Sequence, residues 1–361
     1  MTTLTAPAPG LPRERLIAAL DSFHRRLNRS LVRRGDVFDG NRAVAAFLNG
    51  SYPLRPLLAL APAAVAGNLG RTAFDSALAI ELSHLAGEYH SELLQGLTVP
   101  PDMEDGEATL RSIRNAETEP LIMFGDFLAV KSSRRVVSLP KKISRIVAEA
   151  FADQYEGLLL GSLWNKGIPT IQEYEEIARR RQGALLAGSA RCGAVVAGLS
   201  EASANDLFEF GERLGIALDI WTGVLDLRID EPELERPAGQ ILMTATACYP
   251  LVISVANDLP GRRRLEQWAA APAAAEVPEI VAILQGNGAP EKALDHMQAH
   301  LQLSLDALRR LPEPLADLLE EVATFPFQNP NSWRHLRRAR PLRQFWRFKF
   351  LLGAITRARR N

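Results

Sequence analysis

Leu16, Leu20, Phe23, Leu27 and Leu31 recur at spacings of four, three, four and four, so they line one stripe of an amphipathic helix near the start of the chain. Further apolar stretches follow near 54–68, 73–95, 121–131, 143–163, 184–198, 207–229, 240–256, 278–285, 293–310 and 314–324. Clusters of Gly, Pro and Asn punctuate them, among them Pro100-Pro101, Gly167-Ile168-Pro169 and Gly286-Asn287-Gly288. No convincing run alternates apolar and polar positions with the period of two that a half-buried strand needs. No repeat with a period of about 20–50 residues is visible, which argues against a helical solenoid. The pattern predicts an all-α chain: one helical domain over 13–330, a disordered Pro-, Thr- and Ala-rich segment over 1–12, and a C-terminal extension over 331–361.

Composition alters this picture at one place. The chain has 361 residues, 47% hydrophobic and 23% charged, as expected of a soluble globular protein with a large core. Lysine plus arginine and aspartate plus glutamate each number 42, but ten of the basic residues and none of the acids fall between Trp333 and Asn361. The preceding body therefore carries 32 basic against 42 acidic side chains. Within the tail, Phe345, Phe348, Leu352 and Ile355 follow one another at spacings of three, four and three, with Arg343, Arg347, Lys349 and Arg357 interleaved. That is the pattern of a basic amphipathic helix lying on an anionic membrane surface. Packing of the same apolar face against the acidic body is nevertheless the favoured reading, membrane docking comes second, and nucleic-acid binding is the least favoured.

Cys192 and Cys248 are the only cysteines, which fits a reduced compartment better than a disulfide framework. The first thirty residues are interrupted by Arg13, Glu14, Arg15, Arg25 and Arg26, so no signal-peptide core is expected there. The longest apolar run, 57–67, contains Pro62 and falls far short of the roughly 20 residues that span a bilayer. The expectation is a cytoplasmic protein, with peripheral contact at the inner membrane surface through 333–361 left open.

Several short motifs stand in a telling order. Gly50-Ser51-Tyr52-Pro53-Leu54-Arg55-Pro56 is followed by a stretch from Ala79 to Gln95, AIELSHLAGEYHSELLQ. Then come Gly125-Asp126-Phe127-Leu128, Arg181-Gln182-Gly183-Ala184-Leu185, the stretch FGERLGIALDIWTGVLD from Phe210 to Asp226, and Tyr249-Pro250-Leu251. In this order and at these separations the chain resembles the trans-isoprenyl diphosphate synthases, the polyprenyl synthetase family. The corresponding motifs there read GGKxxRP, AxExxHxxSLxHDDxxD, GDxL, KTxxL, FGxxLGxAFQxxDDxxD and KxTxP. The resemblance covers roughly 40–325. It implies an all-α isoprenoid synthase fold around a deep central cavity, Mg²⁺-assisted transfer of a prenyl group from its diphosphate, and a homodimer.

The same alignment exposes two departures. Where the family has its two DDxxD motifs, this chain reads Ser91-Glu92-Leu93-Leu94-Gln95 and Thr222-Gly223-Val224-Leu225-Asp226, one carboxylate in each. Magnesium prefers carboxylate and water oxygens and neutralises the departing diphosphate as a Lewis acid. Loss of four of those six carboxylates should abolish the usual clamp. A relocated metal site is conceivable on Glu88 and Glu92, one helical turn apart, across from Asp219 and Asp226, with Asp219 standing where the family has glutamine. Pairing of these acids with Arg55 or Arg181, or exposure to solvent, is the plainer alternative. For the diphosphate, the resemblance assigns Arg55, His84 and, in place of the KT lysine, Arg181, whose planar fork suits phosphate; Tyr52 replaces a further lysine. Ala86 and Gly87 fall where aromatic residues limit chain length in the family, so their small size implies a pocket for about twenty carbons or more; close helix packing at Gly87 competes with that reading.

Two functions stay open on this basis. In the first, an atypical prenyltransferase binds a long isoprenoid diphosphate or prenyl lipid phosphate and transfers or rearranges the prenyl group with a reduced or relocated Mg²⁺ site. In the second, a non-catalytic homologue pairs with an active prenyl diphosphate synthase and alters its product length or stability.

Overall fold

The computed structural model describes residues 11–31, 52–97, 107–162, 167–227, 238–243 and 248–328. Among them it is helical throughout and contains no strand. The order is α1 (Pro12–Leu31), α2 (Leu54–Ala66), α3 (Arg71–Leu97), α4 (Glu107–Val136), α5 (Lys141–Ser162) and α6 (Ile171–Ala178). A π turn, Arg179–Gly183, joins α6 to α7 (Ala184–Ala197); α8 (Glu201–Asp226) and the short α9 (Gln240–Met243) follow. The remainder is α10 (Tyr249–Ala256), α11 (Arg262–Ala270), α12 (Val277–Gly286), α13 (Ala289–Leu308) and α14 (Glu313–Gln328). The predicted segments 1–12 and 331–361 lie almost entirely outside the described residues.

The predicted stripe of α1 is the buried one: Leu16, Leu20, Phe23, Leu27 and Leu31 all turn inward, joined by Ala19. They enter the largest apolar cluster, built with α2, α3, α14 and the first half of α8. A second cluster unites α6, the second half of α8 and α10 to α13. α2 and α3 lack one-sided amphipathicity because they are enclosed. Between Ala73 and His90, only Asp75, His84, Glu88 and His90 keep partial exposure. From Leu214 to Leu227 only Thr222 does. A helix apolar on nearly all sides is the signature of a buried central element.

Small residues let the inner helices approach closely. A Cβ placed on Gly211 would sit 2.5 Å from the Ala187 Cα, and one on Gly215 would sit 2.3 Å from the Gly183 Cα. α8 therefore crosses α7 and the π turn backbone to backbone. On the other side of the turn, a Cβ on Gly157 of α5 would lie 2.4 Å from the Arg181 amide nitrogen. The π turn is thus wedged between two glycines on two helices. The capping box at the start of α6, where Thr170 and Glu173 satisfy each other's backbone amides, fixes the helix that feeds it.

Candidate functional site

The motif residues fall on α2, α3, the π turn and α8, and they form two separate groups. Arg55, in the first turn of α2, reaches Glu81 of α3, with its Nε donating to the Glu81 Oε2 at 3.0 Å. Both side chains are largely buried, at 12% and 4% exposure. Tyr52, just before α2, turns away from this pair: its hydroxyl donates to the Val322 carbonyl at 3.0 Å and its ring stacks on Phe325 at 4.9 Å. Burial pushes the Tyr52 hydroxyl pKa up, so it stays protonated. One turn beyond Glu81, the His84 Nδ1 lies 3.8 Å from the Glu88 Oε1, and these two form the partly accessible face of α3. Ala86 is fully buried. Gly87 faces α5, where a Cβ would come within 2.8 Å of the Gln154 Nε2 and 3.3 Å of the Leu158 Cδ1.

Arg181 and Asp219 are bonded to each other, the pairing that stood as the alternative to a relocated metal site. The Arg181 Nε donates to the Asp219 Oδ2 at 3.1 Å, and its Nη2 to both carboxylate oxygens at 2.9 Å. Tyr174, from α6, completes the group by donating its hydroxyl to the Asp219 Oδ1 at 2.6 Å. Burial first, and the Asp219 charge second, hold the Tyr174 pKa well above its ordinary value, so the hydroxyl remains a donor. A π turn shifts the helix register relative to an α-helix. Here that register carries Arg181 against α8, while Arg179 and Arg180 go outward to Glu176, Glu212 and Glu156. Asp226, at the end of α8, is buried; its Oδ2 accepts from the Ile241 amide at 2.8 Å and its carbonyl from the Gly239 amide at 2.8 Å.

Magnesium needs carboxylate oxygens turned toward the ion. Asp219 gives both oxygens to Arg181 and Tyr174, and Asp226 gives one to a backbone amide. Among the described residues no three His, Cys, Asp or Glu side chains are grouped to hold a metal ion. The described carboxylates do not fit a magnesium clamp. The side chain of Glu92 lies outside the described residues.

Sequence reasoning passed over Tyr174 and a further contact. His90, one residue before Ser91, lies 3.0 Å from the Tyr155 hydroxyl and 3.3 Å from the Asp126 Oδ1. The His90 ring occupies the space of a Cβ at Gly125, which would meet its Nε2 at 2.3 Å. The Gly125-Asp126 pair therefore has a local reason: glycine admits the ring and aspartate faces it. Burial, with the Asp126 charge, pushes the Tyr155 hydroxyl up to about 12.

A second polar group lies behind Tyr174, whose ring meets Tyr249 edge-on at 5.0 Å. The Tyr249 hydroxyl is 2.8 Å from the His296 Nδ1, and the His300 Nε2 is 3.2 Å from the Glu175 Oε1. The hydrogen bond from His300 lowers the Glu175 pKa below its ordinary 4.5, against the opposing effect of burial. A depressed folded-state value means that the carboxylate's contribution is complete above the ordinary value and is lost as pH falls through the folded one. Glu175→Gln is expected to cost about 1 kcal/mol at pH 7, discounted for partial exposure. That difference should shrink below about pH 4, as read from urea midpoints at the two pH values. An unchanged difference at low pH would contradict the assignment.

No described helix is long and apolar enough to cross a membrane. The polyprenyl synthetase family model matches residues 106–285. The chain is 25% identical over 234 residues to a prenyl transferase of Cyanophora paradoxa, covering 64% of this chain and 70% of that one. It is 26% identical over 291 residues to the octaprenyl diphosphate synthase of Escherichia coli, covering 79% and 82%. In fold it matches a polyprenyl synthase from Caulobacter crescentus solved with calcium and isoprenyl diphosphate, with a TM-score of 0.72 at 23% identity over 92% of this chain and all of that one. The helical order, the motif positions on α2, α3, α4 and α8, and these relatives agree: the chain belongs to the polyprenyl synthetase family of trans-isoprenyl diphosphate synthases.

Proposed function

We propose that this protein is a non-catalytic member of its family that associates with an active prenyl diphosphate synthase and modulates its product length or stability. The observation that carries this reading is Asp219. A carboxylate already bound in a fork by Arg181 and hydrogen-bonded by Tyr174 withdraws both a metal ligand and a diphosphate-binding cation from use. Prenyl transfer in this family rests on ionising a diphosphate, and neither the cation nor the counter-charge is free for that step.

A partner needs a surface. Met123, Val130 and Val137 follow one another at spacings of seven along and just beyond α4, at 68%, 67% and 86% exposure. Leu159 and Leu160 of the next helix are also exposed. Apolar side chains concentrated this way favour a protein contact over solvent. The basic, amphipathic pattern of 333–361 supports holding such a complex at an anionic membrane, where long prenyl chains partition.

The test is enzymatic. The isolated protein is incubated with geranylgeranyl diphosphate, isopentenyl diphosphate and Mg²⁺, and then co-expressed with a synthase of the same genome that carries both aspartate motifs. No product from the isolated chain, together with co-purification and a changed product length, is expected. Turnover by the isolated chain would instead support prenyl transfer through a relocated set on Glu88, Glu92, Asp219 and Asp226. One observation keeps that second reading in view: Glu88 remains one-third exposed beside His84, on the accessible face of α3.

A further inference from the structure

The Arg181 guanidinium grips Asp219 as it would grip two oxygens of a phosphate, with Nε and Nη2 spread across both carboxylate oxygens. The two partners are not equally enclosed. Asp219 is at 4% exposure, whereas Arg181 keeps 18%. The Arg181 side chain is therefore the less enclosed partner of the pair. Tyr174 adds a fourth hydrogen bond to the carboxylate. Arg55, by contrast, meets Glu81 through a single Nε contact.

We propose that Asp219 is an internal occupant of an anion site on Arg181, a latch that keeps diphosphate out, and that removing the charge at position 219 opens the site. This deepens the non-catalytic reading above and rests on it. A tethered competitor acts at an effective concentration of millimolar order or more, so micromolar diphosphate cannot displace it. An amide at position 219 leaves the guanidinium without its counter-charge, and asparagine does so while preserving side-chain size.

Inorganic diphosphate is the probe, with EDTA present so that no metal contributes. Binding is followed by calorimetry and by the shift of each variant's thermal midpoint from its own unliganded value. The wild type and Arg181→Gln should respond alike. Asp219→Asn and Asp219→Gln should bind at least about 5-fold more tightly than the wild type, and the gain should vanish in the Asp219→Asn, Arg181→Gln double variant. Farnesyl diphosphate forms a second arm. A gain with both ligands supports an opened headgroup site; a gain with farnesyl diphosphate alone places the effect on the chain and overturns the latch. Folded position-219 variants with no gain would also overturn it. Should neither variant fold, the wild type still decides. Diphosphate binding that Arg181→Gln abolishes means Arg181 was never latched, and a response that Arg181→Gln leaves unchanged upholds it. Product formation is not read in this experiment, so its failure is separate from failure of the partner reading.

Discussion

Arg181→Met and Asp219→Leu are each expected to lower folding stability by about 3–5 kcal/mol, while the double replacement should lose only about 1–3. The asymmetry follows from what each change strands. Either single variant leaves one charge in a largely enclosed site without its partner. The double variant removes both charges and substitutes apolar groups of similar size, so its remaining loss is mainly the Tyr174 hydroxyl deprived of its acceptor. Adding Tyr174→Phe should recover most of that remainder. Denaturant unfolding of the wild type, the singles, the double and the triple closes the cycle. A double variant as unstable as the sum of its singles would mean that the two side chains do not act on each other, and both the latch and the partner reading would lose their basis.

The same pair shows what the sequence could and could not disclose. The stripe of α1 was legible because apolar spacing reports directly on the enclosed face, and the apolar stretches 73–95 and 293–310 fall on α3 and α13. Two helices were not among the apolar stretches, α6 and α11. Each is short and charge-rich, IQEYEEIA and RRRLEQWAA, and owes its place to a few inward residues, Tyr174 and Ile177 in one and Leu265 and Trp268 in the other. The apolar stretch 240–256 read as one unit, yet the structure separates α9 from α10, whose first turn contains Pro250. A proline fits there because its missing amide hydrogen would have no helical acceptor.

For the site, the motif alignment named Arg181 and Asp219 individually. Pairing of the candidate acids with Arg55 or Arg181 stood only as an alternative to a relocated metal site, and it is the glutamine-to-aspartate departure that supplies the carboxylate Arg181 binds. The π turn was not legible, since the residues that approach it most closely, Gly157 and Gly215, lie on other helices far along the chain. Glu92 and the basic tail remain sequence arguments, because they fall outside the described side chains.

Gly215→Ala is expected to destabilise the protein by about 3 kcal/mol, the upper end for an overpacked core. The added methyl would meet the Gly183 Cα at 2.3 Å and its amide nitrogen at 2.5 Å, and backbone atoms cannot rotate out of the way as a side-chain tip could. Relief has to come from displacing the π turn or separating α8 from α7. Displacement of the turn moves Arg181, so part of the cost should be borne by the Asp219 contact. The prediction is accordingly non-additive: Gly215→Ala should cost less in the Arg181→Met, Asp219→Leu background than in the wild type. Gly286→Ala serves as the control, since nothing lies within 4 Å of a Cβ there and a helix-ending alanine should be neutral or stabilising by about 0.5 kcal/mol. Urea midpoints of these variants suffice. A Gly215→Ala protein as stable as the wild type would show that α7 and α8 cross more loosely than the glycine contacts indicate. Equal losses in the two backgrounds would show that the turn holds Arg181 independently of the crossing.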